Sequence, residues 1–511
     1  MERTRTKKPN FLLIVADDMG YSDAGCFGGE ISTPNLDGLA GVSLRFPQHY
    51  SAGRCWPSRA ILMTGQYYQQ VPKVADDGTL PDWGRPAPHY LRPQGYRTYH
   101  SGKWHVNQFP DPVAHGAFDR SYYVRDYDRN FAVQDHRLDD EPLPAVESGS
   151  GYYSSTAIAQ YAVDFLREHE QQHAGTPLFL YLAFIAPHFP LHAPQEDIDF
   201  YRGRYDAGWD AVREERMQRL HEMGMLDCAL SPRQPNVIPP WNLSAEELKE
   251  EIGPGEAPKA CSWRHLADEQ KAFQAMKMEI HAAMIHRMDR EIGRVIDQLK
   301  AMGEFENTVI MFVSDNGASA EQIIRGDRHD KSATPGSGGS YLCLGPGWST
   351  AANTPFRYHK SWVHEGGVAS PLIVHWPAGI KARGELRRTP SHFVDILPTI
   401  LDLAGASDAP AWRGAGTPSM PGVSLVPALA EDCEIQRQCI FFSHIGHRAL
   451  RVGKWKLVAV HYGKWELYDM ESDRSELHNL ADQQPERVRS MAAMWQRLNR
   501  EYEQQAGEKR D

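Results

Sequence analysis

Four runs of strand length and strand composition recur along the chain: NFLLIVA (10–16), YRTYH (96–100), PLFLYLAFIA (177–186) and TVIMFV (308–313). Continuous apolar runs of this kind are buried on both faces, and segments with helical periodicity lie between several of them. The pattern predicts an α/β fold: a large mixed, mostly parallel sheet sandwiched by helices. Two covering helices are predicted, one over 153–169, which opens on Ser and Thr, and a long amphipathic one over 275–303 that stops at Gly303. A polar group follows each run. Asp17 and Asp18 follow the first, Lys103 and His105 the second, His188 the third, Asp315 and Asn316 the fourth. Open α/β sheets bind ligands beyond the carboxyl ends of their strands, so clusters far apart in sequence are expected to meet in one crevice. Turn chemistry accounts for any one of them, but not for all four together.

The rest of the chain narrows the class. With 511 residues, 41% hydrophobic, it can bury a sizeable core without disulfides or a structural metal. A net charge of -11, with Lys and Arg scattered, argues against a nucleic-acid partner. The seven cysteines (26, 55, 228, 261, 343, 433, 439) show no CxxC spacing, which indicates neither a zinc site nor a disulfide framework and suits a reducing compartment. The basic start MERTRTKKPN is followed by only six apolar residues, which end in two aspartates; no signal peptide or membrane span is read there. The chain as written is expected in the cytoplasm, or in the periplasm or outside the cell if it derives from a processed precursor. Residues 325–355, rich in Gly, Ser and Pro, read as a long loop leading to Lys360 and His364 before a further strand. Antiparallel alternation over 447–470 around a Tyr-Gly-Lys turn, then an amphipathic helix over 485–505, predicts a small C-terminal subdomain (440–511) after a catalytic domain (8–439).

Within SAGRCWPSRAILMTG (51–65), Cys55 stands where a helix opens, with Pro57 in its first turn and Arg59 on the same face. A lone cysteine is ordinarily a small buried hydrophobe, so context must supply any other role. Asp17, Asp18, Asp315 and Asn316 offer only oxygen ligands, which suit Ca²⁺ or Mg²⁺ rather than zinc or copper. A divalent ion beside Arg59, Lys103, His105, His188 and Lys360 makes a cationic pocket suited to a tetrahedral oxyanion ester, sulfate or phosphate. The helix N-terminus at Cys55 adds its amides.

CWPSRAILMTG resembles the CxPSR…TG signature of the type I, formylglycine-dependent sulfatases of the alkaline phosphatase superfamily, and SGKWH (101–105) resembles their second signature. The likeness extends through NFLLIVADDMGYSDAG, STPNLDGLA, APHFPLHAP, SDNGA, TPFRYHKSWVHEGG and WELYDMESDRSELHNLAD, almost the whole chain. RYDAGWDAVREER and the long loop before Lys360 are similar to the longer bacterial arylsulfatases. The resemblance implies that a formylglycine-generating enzyme oxidises Cys55 to formylglycine. The aldehyde hydrate then has two hydroxyls on one carbon: one attacks sulfur, and loss of the second proton expels sulfate and restores the aldehyde, a reset that a thiolate lacks. It also implies that Asp17, Asp18, Asp315 and Asn316 hold Ca²⁺ (or Mg²⁺), with the hydrate at position 55 and a sulfate oxygen completing the shell. Arg59 orients the hydrate, Lys103 and Lys360 contact sulfate, His105 assists loss of the second proton, and His188 with Lys360 protonates the leaving alkoxide. Two positions depart from the pattern: Trp56 fills the variable site of the signature, and HGAFDRSYY follows only loosely the segment after the second one.

The nearest alternative is a phosphonate monoester or phosphodiester hydrolase of the same superfamily. Sulfate monoesters carry one negative charge and phosphate monoesters about two, and a cationic pocket accepts both. A silent anion-binding protein fits less well, since nucleophile, acid, base and ligands are all present. So does a phosphatase using Cys55 as a bare thiolate, because an ordinary thiol titrates near pH 8.5. The expected substrate is a small-molecule or oligosaccharide sulfate ester, carbohydrate before aryl. Trp104, Tyr122, Tyr123, Trp348 and Trp362 are the candidate sugar-stacking residues, and Arg125, Asp126, His192 and Arg357 the candidate polar rim.

Overall fold

The computed structural model describes residues 7–406 and 418–507. Its main sheet has nine strands: β1 (Asn10–Ala16), β2 (Leu44–Phe46), β3 (Arg97–Gly102), β4 (Arg120–Val124), β5 (His136–Leu138), β6 (Glu141–Pro142), β7 (Leu178–Ala183), β8 (Thr308–Ser314) and β9 (Leu372–His375), ordered β2-β9-β8-β1-β7-β3-β4-β5-β6. The four strongest apolar runs of the sequence form its centre, and β8, β1, β7, β3 and β4 run parallel. The short strands at both edges are antiparallel.

Strand periodicity divides the core in two. Leu12 and Ile14 of β1, with Leu180 and Leu182 of β7, pack under the helices Ser154–Gln172 and Asp268–Ala301. Phe11, Leu13 and Val15 face the opposite layer, which includes the helices Cys55–Thr64 and Ile396–Leu403. The long helix begins seven residues before its apolar periodicity does. Asp268 and Glu269 complement the positive end of its dipole, and the Gln270 side chain accepts the Ala267 N–H at 3.1 Å.

Register decides where the polar residues go. Ala16 lies opposite Ser314, Val15 opposite Ala183, and Ala183 opposite Gly102. The parallel strands therefore end level, and residues 17–18, 103–105 and 315–316 leave one edge side by side. The 325–355 stretch is not loop throughout: Gly345–Ala352 is a helix. Its Gly and Pro content hid it, but Trp348 is fully buried against Trp209 and Trp263, and a Cβ at Gly347 would stand 2.5 Å from the Trp209 ring. Tertiary packing overrides propensity here.

Towards the C-terminus, β10 (Ile440–His444), β11 (His447–Val452), β12 (Trp455–Ala459) and β13 (Glu466–Asp469) form an antiparallel meander, with the Tyr-Gly-Lys segment between the last two. The helix Pro485–Gln505 packs on it through Trp495, which stacks on Phe441 and donates from Nε1 to the Phe442 carbonyl at 2.9 Å. Buried charges tie this sheet to the segment after Lys360: Lys456 Nζ lies 2.8 Å from Glu365 and 2.9 Å from Glu476, and Arg474 Nε lies 3.1 Å from Glu365. Among the described residues no helix is long and apolar enough to cross a membrane.

Candidate active site

Beyond β1 the chain turns sharply, with Asp18 in the left-handed region at φ 66°. The Asp17 N–H donates to the Ala186 carbonyl at 3.1 Å and the Asp315 N–H to the Ala16 carbonyl at 3.0 Å, which locks the ends of β1, β7 and β8 together. Asp18 then receives Asn316 Nδ2 on Oδ1 at 2.7 Å, and its own N–H reaches Asp315 Oδ1 at 3.3 Å. The four oxygen-bearing residues predicted from sequence thus meet. Asp17, Asp18 and His188 also bring ligand-capable atoms within 4.8 Å of one another.

Cys55 opens its helix directly after Arg54, whose extended backbone (φ -150°, ψ 149°) makes the cap, and Gly65 closes it in the left-handed region. The thiol is 4% exposed, and burial pushes its pKa up despite the charges of Lys103 and Lys360. One turn on, Arg59 is wholly buried. It donates from Nε to Asp315 Oδ2 at 2.8 Å and from Nη1 to the Lys103 carbonyl at 2.9 Å, and Nη2 lies 3.7 Å from Asp17 Oδ2.

Gly102 lets the next segment in. At φ 118°, a Cβ there would stand 1.9 Å from the Ala183 carbonyl oxygen, which no side chain tolerates. Lys103 follows, with Nζ 2.5 Å from Asp17 Oδ2 and 4.1 Å from the centroid of the Tyr127 ring. His105, left-handed at φ 49°, also lies against Tyr127, and its buried Nδ1 has no protein partner. His188 places Nδ1 2.5 Å from the Phe189 carbonyl and Nε2 3.7 Å from Asp18 Oδ2. Burial, then the charge of Lys360, holds the His188 imidazole well below its ordinary pKa; burial and Lys103 do the same for His105. A proton on Nδ1 satisfies the Phe189 carbonyl and leaves Nε2 of His188 a lone pair.

Lys360 sits between the left-handed residues Tyr358 and Ser361, its N–H bonded to the Ala318 carbonyl at 3.1 Å. Its Nζ donates to Asp18 Oδ2 at 2.8 Å and lies 3.3 Å from Glu321 Oε2. Burial disfavours this ammonium, but Asp18 and Glu321 outweigh it and hold the pKa above the ordinary lysine value. Asp17 is likewise held below the usual carboxylate range: burial opposes ionisation, and Lys103, His188 and Arg59 overcome it. Asp315 goes the other way. Burial, reinforced by the charge of Asp17, pushes it up to about 7 against the pull of Arg59.

The pocket is not an unopposed cationic one, as the sequence suggested. Asp17, Asp18, Asp315 and Glu321 match Arg54, Arg59, Lys103 and Lys360 in number and by contact. Charge is therefore added most cheaply as a pair, a cation together with an oxyanion. Two acceptors stand ready for the cation: Asp17 Oδ1 and Asn316 Oδ1 are buried without any hydrogen-bond partner. The donor set, all oxygen apart from His188, fits Ca²⁺ or Mg²⁺.

The proposed substrate rim is corrected by the structure. Trp104, Tyr122, Tyr123, Trp348 and Trp362 are all buried in packing roles. His192 is buried and bonded to the Ser340 carbonyl, Arg357 is committed to Tyr468 and the Glu476 carbonyl, and Asp126 pairs with Arg129. Arg125 is exposed, with Asp135 3.6 Å away. Residues that do border the site went unread: Tyr127 beside Lys103 and His105, and Glu321, which gathers Lys360, Arg54 and Trp241. No local pattern marks them; only the fold brings them in.

An α/β protein with a buried cysteine opening a helix, two lysines and an oxygen-rich cluster at its strand ends has the groups that hydrolases of oxyanion esters need. The sulfatase family matches residues 9–406, and the C-terminal region of N-sulphoglucosamine sulphohydrolase matches 356–504. The chain belongs to the sulfatase family and is a sulfuric ester hydrolase. It is 31% identical over 508 residues to an uncharacterised sulfatase of Schizosaccharomyces pombe, covering 90% of this chain and 87% of that one. It is 30% identical to an arylsulfatase of Klebsiella aerogenes, covering 82% and 91%. Among solved structures, Ps i-CgsB in complex with k-i-k-neocarrahexaose superposes with a TM-score of 0.67 over 98% of this chain and 94% of that chain, at 24% identity, which bears on the fold alone.

Proposed function

We propose that the enzyme hydrolyses carbohydrate or aryl sulfate monoesters with a formylglycine hydrate formed from Cys55 and a divalent cation, Ca²⁺ or Mg²⁺. The observation that carries this reading is that Cys55 and Arg59 share one buried cluster with two unpartnered side-chain oxygens, the Asp17 carboxylate Oδ1 and the Asn316 amide Oδ1. Asp17, Asp18, Asp315 and Asn316 would hold the cation, with His188 Nε2 beside them. When bound, it neutralises charge on the sulfate oxygens, and the hydrate supplies paired hydroxyls, one to attack and one to expel sulfate.

The side chains do the rest. Arg59, fixed by Asp315 and the Lys103 carbonyl, orients position 55. Lys103 and Lys360 present ammonium groups to the sulfate oxygens, where charge builds in the transition state. Lys360 keeps its proton, so it is the group that donates to the leaving oxygen. His188, with Nε2 towards the pocket, assists Lys360 at the leaving oxygen. His105 Nδ1, without a protein partner, is free to take the proton whose loss releases sulfate. Asp315, bonded to Arg59 beside position 55, is the group placed to accept the first proton. The test is side-by-side kinetics of fully matured enzyme on sulfate monoesters, phosphate monoesters and phosphodiesters. Sulfate esters are expected to lead by at least roughly a hundredfold in kcat/KM; equal or faster phosphodiester or phosphonate turnover overturns the reading. Maturation by a formylglycine-generating enzyme belongs to the same proposal, as does a catalytic unit over 8–439 with a C-terminal unit over 440–511.

A further inference from the structure

Among the described residues six large hydrophobic side chains are substantially exposed, and one of them, Trp241 at 39%, is wired to the reacting centre. Its Nε1 donates to Glu321 Oε1 at 2.8 Å, and the other oxygen of that carboxylate, Oε2, lies 3.3 Å from Lys360 Nζ. Arg54, the residue next to Cys55, lies over the Trp241 ring with its guanidinium carbon 5.4 Å from the centroid. Arg54 in turn donates to the Ser361 hydroxyl at 2.6 Å and stands 3.4 Å from Glu321. The ring thus belongs to the Lys360 side of the pocket, where the leaving group must sit if Lys360 protonates it.

Trp241 is also held still. The next residue, Asn242, donates from Nδ2 to the Ala320 carbonyl and accepts the Gln322 N–H on Oδ1, both at 3.0 Å, and the Leu243 N–H bonds the Gln322 carbonyl at 3.0 Å. Those bonds clamp the Trp241 segment onto 320–322, the stretch that also carries Glu321. An exposed indole normally costs solvation without return; one pinned by its own N–H and three neighbouring hydrogen bonds is a preorganised flat surface.

We infer that Trp241 is the platform on which the leaving group of the substrate stacks, and that this leaving group is a sugar ring. A pyranose presents C–H faces to an indole and hydroxyls at its edge, and Arg54, part-exposed over this platform and held by Ser361 and Glu321, has further N–H donors to meet hydroxyls. A plain aryl group uses the face and makes no use of the donors of Arg54. The inference rests on the sulfatase reading proposed above and narrows its substrate class.

The test measures the matured enzyme with Trp241→Ala and Trp241→Phe on 4-nitrophenyl sulfate and on a panel of hexose and N-acetylhexosamine monosulfates, with inhibition by inorganic sulfate as a report on the core. The parent is expected to hydrolyse at least one sugar sulfate with a higher kcat/KM than the aryl ester. Trp241→Ala should raise KM for that sugar roughly tenfold with kcat little changed, while Trp241→Phe, which keeps a flat face but loses the bond to Glu321, stays within about threefold of the parent. The inhibition constant of sulfate should be the same in all three. Hydrolysis of the aryl ester with none of the sugars overturns the inference and leaves the sulfatase reading standing. So does a Phe variant as impaired as the Ala variant, or a shift in sulfate inhibition, since either makes Trp241 a support for Lys360. Hydrolysis of no sulfate ester by the matured parent overturns both.

Discussion

Two clusters of buried charge lie at opposite ends of the Lys360 segment, and they differ in which acceptors are left without a partner. Beneath the C-terminal sheet, Glu365 and Glu476 face Lys456 and Arg474. Three of their four carboxylate oxygens accept hydrogen bonds: Glu365 Oε1 from Lys456, Glu365 Oε2 from Arg474 and Tyr50, and Glu476 Oε2 from the Glu365 N–H; the fourth, Glu476 Oε1, accepts none but has the Lys456 ammonium 2.9 Å away. At the strand ends the same residue types are as deeply buried, yet Asp17 Oδ1 and Asn316 Oδ1 face no donor. The acceptor left over beneath the C-terminal sheet is met by a counter-charge, whereas the Asp17 ion pairs fall on Oδ2 and leave Oδ1 open, which suits a site built around something else. The difference separates buried charge that ties the C-terminal sheet to the segment after Lys360 from buried charge left open beside Lys360.

The comparison breaks if variants in the two clusters behave alike. The largest effect is expected at Cys55: Cys55→Ala should abolish turnover while its thermal unfolding midpoint stays near that of the parent, because a small buried side chain is lost and no ion is stranded. Next, Asp17→Asn should lower cation affinity and cut kcat/KM by roughly a thousandfold, on the order of 4 kcal/mol of transition-state stabilisation. Cation content measured by elemental analysis should fall from about one per chain, with Lys103 then lacking its carboxylate partner. Removing the cation from the parent with a chelator should lower its melting temperature, since a ligand at a hundred times its Kd contributes about 2.7 kcal/mol.

Lys456→Met should do the reverse. It strands Glu365 and Glu476 in the interior and should cost about 3 kcal/mol of stability, read by denaturant unfolding, while cation content of the folded fraction is kept. A loss of bound cation without loss of stability would erase the distinction drawn between the clusters. The smallest effect concerns reactivity. Because burial raises the Cys55 pKa, the unconverted thiol is protonated at neutral pH and its thiolate fraction grows only as pH rises towards that raised value. Alkylation of Cys55 by iodoacetamide should therefore be slower at pH 7 than that of a model thiol and should accelerate at alkaline pH; fast labelling at pH 7 would show an open thiolate site.

Much of the fold was legible because buried parallel strands write continuous apolar runs, and because level strand ends gather whatever follows them. Asp17, Lys103 and Asp315 could be placed together from that rule alone. The edge strands could not be read: Leu44–Phe46 is three residues long and carries no usable period. The helix Gly345–Ala352 was hidden by its own Gly and Pro, since its stability comes from tryptophans far away in sequence. The substrate rim failed for a related reason. An aromatic residue near a signature, such as Trp104, says nothing of whether its ring is buried, while Trp241 bonds Glu321 from a segment with no signature at all.

The central claim, that position 55 carries the nucleophile and that its second hydroxyl is what releases sulfate, is tested most directly with Cys55→Ser. A single hydroxyl can attack sulfur but cannot collapse to an aldehyde. Intact-protein mass spectrometry after exposure to a sulfate ester should find one sulfo group per chain, located at position 55, with no turnover beyond that first equivalent. Steady multiple turnover by Cys55→Ser, or a chain that stays unmodified in the presence of the cation and a substrate the matured parent cleaves, would contradict the account.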